Sequence, residues 1–165
     1  MEKRLTKIEL FKEQMNFSVG HFTIFSAEKR ENLHGHNFSV HITLEAEVRE
    51  NGLAFDYGIY KQVVLEICRS LDEVVLLPSK NSYLKIEESN EYIYAHFGQE
   101  KIPFLKRDVK LLPLENITVE ELSYWFVKEL LAYVQASKEH LINMIEVKIF
   151  SSPGQSGASS WIRKP

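Results

Sequence analysis

"ENLHGHNFSVHITLEAEV", residues 31–48, is the stretch whose reading decides the fold. From His36 onward, Phe38, Val40, Ile42, Leu44, Ala46 and Val48 alternate with mostly polar positions, the period of a half-buried strand. Upstream, "NFSVGHFTIF" at residues 16–25 is rich in β-branched and aromatic residues and carries no charge, so it reads as a second strand. The charged turn "SAEKRENLHG" connects them, and an antiparallel hairpin with a long connection is expected.

Working outward, "NGLAF" leads into a helix beginning near Asp56, its candidate N-cap, with Ile59, Val63, Val64, Ile67 and Leu71 at helical spacing. Thr118 followed by Glu121 is a capping-box pattern that opens a second helix, with Leu122, Phe126, Leu130 and Tyr133 as its apolar stripe. "MIEVKIF" is expected as the last strand, Ile145, Val147 and Ile149 facing one way. Between the helices, residues 73–115 hold shorter strand-like pieces, "EYIYAHF" and "DVKLLPL". This order predicts an α+β domain with helices on one face of an antiparallel sheet.

At 165 residues the chain is expected to be one domain, residues 1–165, or one domain with an insertion. A net charge of −3 without a dense basic stretch favours neither nucleic acid nor an anionic membrane. No apolar run approaches the roughly 18 residues of a membrane-spanning helix. "MEKRLTKIEL" lacks the apolar core of a signal peptide, and the single cysteine, Cys68, fits a reducing compartment. A cytoplasmic location is the resulting expectation.

His34 and His36 project to one face of an extended segment, and His21 can reach the same place from a paired strand. Three neutral imidazoles with an open position form the ligand set of a catalytic zinc site. The spacing alone also fits ordinary polar side chains, since His41, His96 and His140 occur without an evident site.

"FSVGH" followed by "LHGHNF" resembles the 6-pyruvoyl-tetrahydropterin synthase and 6-carboxytetrahydropterin synthase family. "GLAFDYGIYKQ", "SLDEVVLL", "NITVEELSYWF" and "VKIFSSPGQSGASSW" are similar to further family segments in the same order. The resemblance implies the tunnelling fold, a four-stranded antiparallel sheet with two helices on one face. Here the fold would carry an insertion at about residues 79–110, between the helices. It implies Zn2+ on His21, His34 and His36, a pterin-like small-molecule substrate, and a homo-oligomer built from trimers that can stack into a hexamer.

Three departures from the family pattern stand out. The family's catalytic cysteine would fall at Arg30 or Glu28, and Cys68 reads as a buried helix residue. Glu31, in an E-x-x-H-G-H arrangement, resembles the subgroup in which glutamate replaces cysteine and the product is 6-hydroxymethyl-dihydropterin. A carboxylate can serve as general base if partial burial raises its pKa, although Glu31 also reads as a solvated loop residue. The family's Asp–His pair appears as Asp72 and Glu73, with Asp72 alternatively just ending its helix. Ser151 stands where the family has a pterin-anchoring glutamate, while Thr118 and Glu120 keep the other pterin-contacting segment and also suit a helix start.

The implied activity is a zinc-dependent lyase acting on a dihydroneopterin-type substrate, by side-chain cleavage with a glutamate base. The competing readings are a divergent enzyme with a non-pterin substrate and a non-catalytic zinc-binding homologue.

Overall fold

The alternation that starts at Phe38 belongs to a strand longer than its period predicts. In the computed structural model, which describes residues 4–137 and 142–164, strand β3 runs His34–Glu47. Its inner positions Phe38, Val40, Ile42, Leu44 and Ala46 are all buried. β2 (Asn16–His21) runs antiparallel to the first half of β3, placing His21 opposite His34. β1 (Leu5–Leu10) pairs with the second half, so β1 and β2 share one edge of β3 in succession. On the other edge lies β9 (Ile142–Ser152), followed by β10 (Gln155–Ile162).

Two helices cover one face of this sheet. α1 (Tyr57–Leu71) is capped by Asp56, whose Oδ1 accepts the Gly58 N–H at 2.8 Å. α2 (Val119–Ser137) starts at Thr118, whose hydroxyl accepts the Glu121 N–H at 3.4 Å. The capping box is only half made, because the Glu121 carboxylate accepts the N–H of Glu115 instead. Tyr60, Val64 and Leu71 of α1 join Leu122, Phe126 and Leu130 of α2 and the inner sheet residues in one core. Each such side chain, fully buried, contributes ~1.5–3 kcal/mol.

The α+β class and the helix-covered sheet are as expected, but the strand count is larger. β4 (Val74–Pro78) joins β2 in parallel, and β8 (Val109–Leu112) joins β4 in parallel, making seven strands rather than four antiparallel ones. The chain reaches β4 after α1, the kind of long crossover that a parallel neighbour requires. β5 (Leu84–Glu88), β6 (Tyr92–Phe97) and β7 (Glu100–Leu105) form a separate antiparallel sheet within the segment between the helices.

Two expected boundaries move. The strand expected over 16–25 ends at His21 because Phe22 and Ile24 turn into a second core with Leu77, Leu84, Ile93 and Phe97. Ile24 gives its N–H to the Asn116 side chain at 3.1 Å and takes a hydrogen bond from it at 2.7 Å. "MIEVKIF" is not the last strand, since β10 follows it. Among the described residues, no helix is long and apolar enough to cross a membrane.

Candidate metal centre

His21, His34 and His36 occupy inward positions of β2 and β3, the same face that carries Phe17, Phe38 and Val40 into the core. Direct pairing of His21 with His34, and the two-residue step to His36, bring one ring nitrogen of each within 4.8 Å of the others. Ring centroids lie 4.6, 5.2 and 5.0 Å apart for the pairs 21–34, 21–36 and 34–36. Phe38 forms the floor, its ring 5.5 Å from that of His21 and 5.4 Å from that of His36.

Backbone carbonyls orient two of the rings. His21 Nδ1–H donates to the carbonyl of Ile117 at 2.9 Å, and His34 Nδ1–H to that of Asn32 at 2.8 Å. Each bond leaves the lone pair on Nε2, as metal-ligating imidazoles require. His21 is 4% exposed, and its Nε2 is buried with no hydrogen-bond partner among the described residues. A buried polar atom without a partner carries a desolvation cost, which a ligated cation would offset. Burial pushes the His21 ring down to about 4, and the neighbouring imidazoles add to this against the opposing bond to Ile117. The ring is therefore neutral near pH 7. The donor set fits a metal ion.

Glu31 stands beside this cluster, one carboxylate oxygen 4.0 Å from His34 Nε2. That oxygen accepts the Thr23 N–H at 3.0 Å, while the Glu31 N–H donates to the Thr23 carbonyl at 2.8 Å. The expectation that burial raises its pKa is not met. Burial does push the carboxyl up, but hydrogen bonds from the Thr23 hydroxyl and backbone and the nearby imidazoles outweigh it, and the net direction is down. Glu31 is an ionised acceptor.

The cavity of about 190 Å3 over the histidines also takes in Thr118, Glu120 and Ser151, so most residues singled out in the sequence meet at one place. The start of α2 forms one wall, and the β9–β10 connection supplies Ser151 and Gln155. Asp72 and Glu73 are elsewhere. Asp72 ends α1, in line with the reading of it as a helix end, and accepts the Ser18 N–H of β2 at 2.7 Å. Glu73, with a left-handed φ of 58°, borders a separate cavity of about 420 Å3 with Ser18, Gly35 and Asn37. Those three occupy the alternate positions of β2 and β3.

Cys68 is buried in α1, and burial pushes its thiol up to about 12, which removes it as a nucleophile. His41 stacks between Phe11 and Phe150, and His96 pairs with Glu87 at 2.7 Å. His140 lies outside the described residues.

Sequence reasoning missed Thr23, Asn116, Ile117 and Gln155. Ile117 acts through its backbone carbonyl, which leaves no side-chain signature, and Thr23 acts partly through its backbone N–H and carbonyl. Asn116 holds Ile24 beside Ile117, accepting the N–H of each at 3.1 Å. Only Gln155, a polar residue four after Ser151, was open to inspection in the sequence.

A family model described as 6-pyruvoyl tetrahydropterin synthase matches residues 9–159. A protein of Methanocaldococcus jannaschii, provisionally named 6-carboxy-5,6,7,8-tetrahydropterin synthase, is 30% identical over 143 residues, 86% of each chain. The crystal structure of 6-pyruvoyl tetrahydropterin synthase from Plasmodium vivax superposes with a TM-score of 0.90 and 26% identity, covering 97% of this chain and 99% of that one. Two catalytic-residue mutants of the Plasmodium vivax protein, with a glutamate changed to alanine or to cysteine, have the same TM-score, 0.90, at 25% identity and the same coverage.

Proposed function

The chain belongs to the 6-pyruvoyl tetrahydropterin synthase family, and on that premise we propose that it is a zinc-dependent lyase acting on a dihydroneopterin-type substrate. The observation that carries the metal assignment is the buried, partnerless Nε2 of His21 beside His34 and His36. Zinc bound there supplies positive charge that stabilises negative charge developing on a substrate oxygen.

Glu31 is assigned the base. Its carboxylate is ionised and within reach of the space in front of His34. In a retro-aldol cleavage it takes the proton of the second side-chain hydroxyl. The bond between the first and second side-chain carbons then breaks, an aldehyde leaves, and its electron pair delocalises into the ring until a proton returns to the first carbon. A low-pKa base suits this step only when the substrate proton is itself acidified. Catalytic-residue mutants of a glutamate in the Plasmodium vivax protein support the same role here.

Thr118 and Glu120 are assigned to substrate binding, with Glu120 as the carboxylate available to a donor-rich ring edge. Ser151 offers that edge a neutral hydroxyl. This favours, as the second reading, a family member with a non-pterin substrate; the third is a zinc-binding homologue without catalysis. Glu73 borders the neighbouring cavity and Asp72 is tied to the Ser18 N–H, so within a single chain neither is assigned a part in the proton transfer proposed for Glu31. A trimer-based homo-oligomer, possible as a hexamer, and a cytoplasmic location complete the proposal.

The test is metal analysis of the purified protein followed by incubation with 7,8-dihydroneopterin and its triphosphate. One zinc per chain and release of 6-hydroxymethyl-dihydropterin are expected. Full zinc with no pterin turned over favours the second or the third reading, and absence of stoichiometric metal overturns the zinc assignment.

A further inference from the structure

Arg30 joins the Glu31 turn to the three-stranded sheet. Its guanidinium directs Nε and Nη2 onto one oxygen of Glu100, at 2.8 and 2.5 Å, while Nη1 donates to the Glu31 carbonyl at 2.7 Å. The same group lies 5.0 Å from the Phe22 ring centroid and 5.8 Å from that of Phe97. Phe22 directly follows His21, Phe97 ends β6, and both belong to the second core. The planar fork is what allows one side chain to satisfy an acid and a carbonyl while resting on aromatic faces.

Within the turn the Phe25 and Ser26 N–H groups donate to the Lys29 carbonyl at 2.9 and 3.1 Å, and Arg30 adds the tie from Glu31 to the three-stranded sheet. Phe25, Ala27, Glu28 and Lys29 are exposed, and the ladder between its two limbs is reduced to a bridge from Ile24 to Arg30. Arg30 is only 16% exposed at its side chain, although Glu100 is 54% exposed. An exposed acid on an arginine adds little to global stability. Its effect here is local, because the arginine it fixes also fixes the backbone of Glu31.

We infer that the three-stranded sheet is a positioning device for the base, with Glu100, acting through Arg30, holding the turn that aims the Glu31 carboxylate at the histidines. The role as positioning residue rests on the reading of Glu31 given above. It explains why the segment between the helices packs its core against Phe22 and Ile24. A misaimed catalytic group costs rate without loss of substrate binding.

The test compares Glu100→Ala with Glu87→Ala in the full chain. Glu87 is a control on the same sheet, paired with His96 and Lys101 and making no contact with Arg30. Hydrogen exchange at the Thr23 and Glu31 amides needs neither metal nor substrate. Both amides are expected to exchange about tenfold faster in Glu100→Ala and unchanged in Glu87→Ala, with the thermal midpoint unmoved. On 7,8-dihydroneopterin, Glu100→Ala should lower kcat about tenfold with KM and bound zinc unchanged. Unchanged exchange at both amides overturns the inference whatever the activity, and so does faster exchange with unchanged kcat. A wild-type protein that turns over no pterin sinks the reading of Glu31 as base, while the exchange result still decides whether Glu100 holds the turn.

Discussion

At His21 the alternation of β2 and the approach to α2 meet in one side chain. The strand turns the ring inward, and the Ile117 carbonyl takes its Nδ1 proton, leaving Nε2 for a cation. A neutral buried imidazole has a consequence for the metal-free protein. Its folded pKa of about 4 lies below the unfolded value of 6.5. Above pH 6.5 neither state is protonated there, and the group is neutral to stability. As pH falls toward 4, the unfolded chain takes a proton that the folded one refuses, so stability falls by up to roughly 3 kcal/mol. Urea unfolding of metal-free wild type and His21→Gln between pH 7 and 4.5 should show a steeper loss in wild type. Parallel pH profiles would contradict this account of the ring.

Among the elements, β10 shows most clearly what the sequence conceals. Its inner positions are Gly157, Ser159 and Trp161, so two of three carry no apolar mass and the alternation is invisible. The cause is the start of α2. A Cβ on Gly157 would stand 2.9 Å from the Val119 carbonyl carbon and 3.0 Å from the Glu120 nitrogen, and Ser159 bonds the Ser123 hydroxyl at 2.9 Å. Small residues are needed because helix and strand touch. Gly157→Ala is therefore expected to cost about 1–3 kcal/mol in a denaturant titration. It should also raise KM, since it shifts Thr118 and Glu120, while zinc binding stays unchanged. β3, by contrast, was legible because five successive inner positions face a deep core. β1 was hidden by its charged outer face, Lys7 and Glu9, over the inner Ile8 and Leu10. The three histidines were recognisable through the family motifs rather than their spacing. The carbonyls of Ile117 and Asn32 that orient two of them, and the Thr23 amide that holds Glu31, are revealed only by folding.

In the molecule as a whole, the site lies where the sheet, the first turn of α2 and the loop leaving β2 converge, and each belongs to a different stretch of chain. A metal held by His21, His34 and His36 would tie them together. Zinc should accordingly raise the thermal midpoint in a concentration-dependent way, by ~4 kcal/mol of stability at a thousandfold excess over Kd. Chelation should reverse the gain in wild type and do little in His21→Gln. A midpoint indifferent to zinc would leave the histidines as plain polar residues. The central claim is that Glu31 does the work of the family's missing cysteine at this metal. Its most direct test is turnover of 7,8-dihydroneopterin by zinc-loaded Glu31→Ala against wild type. Loss of roughly 10²–10⁴-fold in kcat with zinc still bound is the expected result. Unchanged turnover in Glu31→Ala would contradict it.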